Sequence, residues 1–96
     1  MPGRYFEEFA VGDTYTHDKR RTISESDNQR FCDLTMNQQP LHLDAEFAAD
    51  TQFGERVVNG LYTLSLAVGL SLPDTTDGTI VANLSYDDVE HPAPVF

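Results

Sequence analysis

Residues 59–72 read Asn59-Gly60-Leu61-Tyr62-Thr63-Leu64-Ser65-Leu66-Ala67-Val68-Gly69-Leu70-Ser71-Leu72, and this stretch decides the fold. Apolar residues fall on every side of a helical wheel. Ser65, Ala67 and Gly69 let neighbouring backbone come close, so the pattern predicts a buried central helix rather than a surface one. At fourteen residues it is too short for a bilayer, which takes about 20. A helix that is apolar all round must be wrapped by sheet.

Two stretches supply candidate strands. On the C-terminal side, after a turn over residues 73–78, residues 79–89 alternate: Ile80, Ala82, Leu84 and Tyr86 face one way, and Thr79, Asn83, Ser85 and Asp87 the other. That is the period of a half-buried strand, and its apolar face is expected to pack on the 59–72 helix. On the N-terminal side, an irregular lead-in with Tyr5, Phe6, Phe9 and Val11 closes in a Gly12-Asp13 turn. Residues 14–23 then carry β-branched and aromatic side chains (Thr14, Tyr15, Thr16, Thr22, Ile23) around a charged middle, which predicts a strand at a sheet edge or with a bend.

Between them the sequence predicts two helices. Ser24 stands as an N-cap with Glu25 and Asp27 in the first turn, so a helix is expected to run to about Met36 with Phe31, Leu34 and Thr35 on one face. Pro40 disfavours helical geometry in the residue before it, which makes residues 37–43 a polar loop. Asp44 caps a second, short helix through Phe47, Ala48 and Ala49, which Gly54 is expected to end. A two-stranded sheet is marginal, so these elements do not close a fold. The run Pro92-Ala93-Pro94-Val95-Phe96 has no polar tail. The expectation is a chain truncated at its C-terminus, just before another strand.

Composition narrows the function classes. A length of 96 residues is enough for one small domain, and the 40% hydrophobic fraction with six Phe and four Tyr argues against disorder. The formal charge is −10, and Lys19 is the only lysine. Such a field repels phosphate, so neither nucleic acid nor an anionic membrane is an expected partner. The scattered aspartates fit either a protein living in concentrated salt or an ordinary acidic cytoplasmic one. Cys32 is the sole cysteine, which excludes an internal disulfide and a thiolate metal cluster. The opening Met1-Pro2-Gly3-Arg4 leads into no apolar signal-like run, so the cytoplasm is the expected compartment.

The chemistry concentrates in Gln39-Pro40-Leu41-His42-Leu43-Asp44, followed by Phe47-Ala48-Ala49, Phe53-Gly54 and Asn59-Gly60-Leu61. This run resembles the hydratase motif of the MaoC-like family, the (R)-specific enoyl-CoA hydratases, whose pattern is Asp-x-Asn-Pro-x-His-x-Asp ahead of a short helix and a long one. The resemblance extends from Tyr5-Phe6-Glu7 and Val11-Gly12-Asp13 to Pro92-x-Pro94-Val95. It implies an α+β hotdog fold, a long central helix wrapped by antiparallel sheet, of which residues 1–96 are the N-terminal portion of a single domain. It further implies syn hydration of a trans-2-enoyl thioester, or the reverse dehydration, on acyl-CoA or an acyl carrier protein. No cofactor or metal is implied beyond the coenzyme A of the substrate, and a homodimer is expected with the site near the subunit boundary.

Within that pattern His42 matches the catalytic histidine, Asn37 stands at the aspartate position and Gln39 at the asparagine position. An amide is no base at neutral pH, yet syn hydration has a closed proton balance. A histidine, with an ordinary pKa of about 6.5, can take the proton from water and return it to the α-carbon, while the Asn37 carbonyl orients the water. Asn59 and Gly60 open the long helix, where the first N–H groups lack helical partners and can hold the thioester oxygen. Each has a plainer reading: His42 satisfying buried carbonyls, and Asn59 capping the helix. Cys32 is expected to be a buried structural thiol, with His17 and His91 on the surface. A second class of function remains open, a catalytically silent hotdog module that binds acyl thioesters or only dimerises.

Overall fold

The computed structural model describes residues 3–96; Met1 and Pro2, at the head of the lead-in, lie outside the described residues. A short 3-10 turn at Phe6–Glu8 precedes four helices, α1 (Glu25–Thr35), α2 (Pro40–Leu43), α3 (Ala45–Ala49) and α4 (Gly60–Thr75). The chain divides into two compact units. One comprises the described residues up to Arg21 with Leu66–Val89, and the other Thr22–Ser65 with Glu90–Phe96.

In the second unit the predicted caps govern the local structure. The Ser24 hydroxyl accepts the Asp27 N–H at 3.1 Å and the Asp27 carboxylate accepts the Ser24 N–H at 3.2 Å, a reciprocal capping box that starts α1. Met36, in the left-handed region at φ 63°, ends it. Asp44 Oδ1 accepts the N–H groups of Glu46 at 3.0 Å and Phe47 at 3.1 Å, which starts α3 as expected. Two expectations need correction. The stretch 37–43 is not all loop, because Pro40 sits in the first helical turn, where its missing N–H and fixed φ favour a helix, and α2 follows. Gly54 does not terminate α3: Asp50 is already its C-cap, and Gly54 lies in a later bend at φ 74°.

The other unit ties the start of the described chain to the end of α4. Gly3 N–H donates to the Asp77 carbonyl at 2.7 Å and Arg4 N–H to that of Thr75 at 3.0 Å. A Cβ on Gly3 would lie 2.5 Å from the Asp77 nitrogen, so only glycine permits this approach. The Arg4 guanidinium bonds the Asp74 carbonyl and stacks 4.4 Å above the Tyr15 ring. His17, expected on the surface, is instead half-buried and pairs with the Asp74 carboxylate at 2.6 Å. Gly12, at φ 92°, makes the predicted turn before Asp13.

Three larger expectations are not met among the described residues. Among the described residues no strand forms: residues 14–23 and 79–89 run as irregular chain. Alternation says which face a strand would bury, but a strand exists only through ladder bonds to a neighbour, and neither segment meets one among the described residues. Nor does the Ile80 face cover α4. Ile80 is 53%, Leu84 96% and Tyr86 53% exposed, and no residue of α4 is buried, although Leu64 and Leu66 are half-buried. The turn expected over 73–78 begins later, because α4 continues through Pro73 to Thr75. The Thr75 hydroxyl donates to the Ser71 carbonyl at 2.7 Å, and Gly78, at φ 80°, lies in the turn that follows. No helix among the described residues is long and apolar enough to cross a membrane.

Candidate active site

His42 takes its position from α2. Its N–H donates to the Gln39 carbonyl at 2.9 Å, and its ring Nδ1 lies 2.7 Å from the Val57 carbonyl oxygen. A carbonyl only accepts, so Nδ1 carries the hydrogen and, in the neutral ring, the lone pair is on Nε2. The bond to Val57 thus fixes the tautomer and the ring plane together. His42 is half-buried and lines two cavities. One, of about 280 Å³, is also walled by Asn28, Arg56 and Phe96. The other, of about 510 Å³, is also walled by Gly60, Thr63, His91 and Val95. Both exceed the roughly 30 Å³ that one water occupies.

Gly60 opens α4 in the wall of the larger cavity. Asn59 Oδ1 accepts the Leu61 N–H at 3.0 Å, and the Asn59 carbonyl accepts from Tyr62 and Thr63. The Gly60 N–H has no acceptor among the described residues, at the end of the helix where the dipole is positive. A Cβ at position 60 would stand 2.9 Å from His91 Nε2, so a larger residue there would have to displace the His91 ring. His91 itself is exposed, as expected.

Behind these groups lies a buried polar cluster. Asn28 is 5% exposed, Asn59 2% and Cys32 fully buried. Asn28 Nδ2 donates to the His42 carbonyl at 3.2 Å, and Asn28 Oδ1 accepts the Asn59 N–H at 3.0 Å. The Cys32 thiol sits between the two amides, 3.8 Å from Asn28 Oδ1 and 3.7 Å from Asn59 Nδ2, weak contacts that complete the pairing. Leaving one such buried group unpaired costs about 1–3 kcal/mol. Cys32 is therefore the structural thiol its sequence context predicted.

The structure brings His42 and Gly60 to one cavity and leaves the other two predicted residues out of it. Asn37 is half-buried just beyond the Met36 cap and walls neither cavity. The Asn59 side chain is spent on the α4 cap and on Cys32, and it too walls neither. Asn28 was missed. Its signal was an amide one helical turn before Cys32, hidden in the polar run Glu25-Ser26-Asp27-Asn28-Gln29-Arg30. At the rim of the smaller cavity Arg56 pairs with the exposed Glu25 at 2.7 Å.

Comparison with known proteins gives concordant findings. The family described as MaoC like domain matches residues 7–96. The chain is 42% identical over 72 residues to a 3-hydroxybutyryl-CoA dehydratase of Methylorubrum extorquens, an alignment covering 72% of this chain and 45% of that one. It is 36% identical over 92 residues to Protein MaoC of Klebsiella aerogenes, covering 96% and 27%. Against a mesaconyl-CoA hydratase of Haloarcula hispanica it is 32% identical over 92 residues, covering 96% and 25%. The chain thus spans less than half the length of each of these relatives. The X-ray structure of the monoamine oxidase regulatory protein from Archaeoglobus fulgius superposes with a TM-score of 0.82 at 34% identity, covering 98% of this chain and 63% of that one.

Proposed function

This chain belongs to the MaoC-like domain family, with a match that runs over residues 7–96, and from that membership we propose that the protein adds water to, or removes it from, an acyl-CoA thioester. The observation that carries the reading is the bond from His42 Nδ1 to the Val57 carbonyl, which leaves Nε2 as a base in a cavity shared with the unpartnered Gly60 N–H. Nε2 takes a proton from water while the water oxygen adds to the β-carbon of a trans-2-enoyl thioester. The electron pair of the double bond moves to the thioester oxygen, which the α4 N-terminus holds through Gly60. The imidazolium then returns the proton to the α-carbon on the same face, so water is added overall and His42 is restored. Relatives named as 3-hydroxybutyryl-CoA dehydratase and mesaconyl-CoA hydratase support short acyl groups on coenzyme A as the substrate class.

The proposal includes the rest of the hotdog architecture. Residues 1–96 form the N-terminal portion of one such domain, segments 14–23 and 79–89 serve as strands once neighbours pair with them, and two copies associate in the cytoplasm. Exposed Ile80, Leu84 and Tyr86, which share one face of the alternating segment, support this, because apolar side chains left open on one face mark an interaction surface. No cofactor is needed beyond the coenzyme A of the substrate. The test is hydration of crotonyl-CoA and mesaconyl-CoA by the native protein, followed as loss of the enoyl chromophore. Turnover of either supports the reading. Tight binding of both with no turnover would favour the silent binding module, a reading that the placement of Asn37 outside both cavities also supports.

A further inference from the structure

We propose that Asn28 is a positioning residue of this site, the side chain that sets the distance between the His42 base and the N-terminus of α4. Three bonds carry the inference. One planar amide donates to the His42 carbonyl at 3.2 Å and accepts the Asn59 N–H at 3.0 Å, while the His42 ring donates to the Val57 carbonyl at 2.7 Å. The imidazole is therefore held at two points. Its ring is fixed to the chain that leads into α4, and its backbone is fixed to α1, which in turn grips the residue before Gly60.

Few side chains can do this. The amide holds its donor and its acceptor in one rigid plane, so both bonds set a single geometry. Aspartate offers acceptors only, serine a single rotating hydroxyl and leucine neither. Asn28 is 5% exposed, so water does not substitute readily for either bond. It walls the smaller cavity beside His42 and not the larger one that His42 shares with Gly60, so it reaches the reacting groups only through its two hydrogen bonds. Reacting groups need near-attack distances, and a misplacement of about 1 Å costs on the order of 10²-fold in rate. Asn28 thus acts through His42 and Gly60 and does not touch substrate. Only the rate measurement rests on the hydratase reading.

The test is a double-mutant cycle in the native protein, using an enoyl-CoA that the wild type hydrates. Asn28→Asp keeps the acceptor for Asn59 and removes the donor to the His42 carbonyl, while Asn28→Leu removes both. We expect Asn28→Asp to lower kcat about 10- to 100-fold with KM changed less than about threefold. The same substitution placed on His42→Ala should change the rate by less than about twofold, because the group it positions is gone. Rates are normalised to the folded fraction by circular dichroism, and Asn28→Asp carries the cycle if Asn28→Leu does not fold. An equal loss in both backgrounds, or a KM effect at constant kcat, would overturn the proposal in favour of a purely structural amide. Nitrogen-15 spectra of His42 give a readout independent of turnover. A shifted or broadened Nδ1–H resonance in Asn28→Asp, as the ring moves against the Val57 carbonyl, supports the clamp, whereas spectra identical to those of the wild type contradict it. Wild-type protein that hydrates no enoyl thioester would end the hydratase reading, and the spectra would still decide the role of Asn28.

Discussion

Residues 24–60 and residues 79–89 both carry regular sequence patterns, and the structure treats them differently. In the first region each polar signal finds its partner within a few residues or across one buried cluster: Ser24 with Asp27, Asp44 with Glu46 and Phe47, Asn28 with His42 and Asn59. In the second, a clean period-2 alternation leaves Val81 and Leu84 almost wholly exposed and forms no ladder. A cap is satisfied by its own helix, so its pattern is self-sufficient. An alternating segment holds half of an interaction, and its N–H and C=O groups wait for a neighbouring strand.

The contrast makes graded expectations. The largest effect on stability should follow from Asn59→Ala, which removes the α4 cap and the amide beside Cys32; a loss of about 1–3 kcal/mol in urea unfolding is expected. An unchanged midpoint would mean that the buried cluster does not hold the first region. Ser24→Ala should cost about 1 kcal/mol, while Ser24→Asp, which restores an acceptor, should recover most of it. Thr63→Val should go the other way. The Thr63 Oγ1 is buried without a partner among the described residues, and an apolar group of the same shape should stabilise the fold by about 1 kcal/mol in the same assay. The smallest effect belongs to the second region: Leu84→Lys should change the stability of the 96-residue chain by less than about 0.5 kcal/mol, since surface substitutions seldom do more. The same change should weaken self-association in sedimentation if that face pairs with another copy.

These differences also explain what could be read from sequence. The start and end of α1 and the Asp44 cap were legible because each depends on neighbours in the chain, and the burial of Cys32 was legible from its place on α1, where neither flanking residue is basic. Pro40 was legible only by half. It disfavours helical geometry in the residue before it and favours the helical turn that it begins, and the first effect alone predicts a loop. Pro73 misled for a related reason: α4 carries a proline in its last turns and goes on to Thr75. Asn28 was illegible because its partners lie at residues 42 and 59, and no local pattern distinguishes a bridging amide from a solvated one. The side chain of Asn59 offered two uses, a ligand contact or a cap, and the residues packed against it decided for the cap.

The most direct test concerns His42, whose Nδ1 bond to the Val57 carbonyl leaves the lone pair on Nε2 and underlies the proposal that Nε2 is the base. Hydration of the enoyl-CoA that the wild type turns over best should fall by about 10²- to 10⁴-fold in His42→Ala, at unchanged substrate binding and unchanged helical content. Equal rates for the two proteins across pH 6 to 9 would remove His42 from the chemistry and contradict the account.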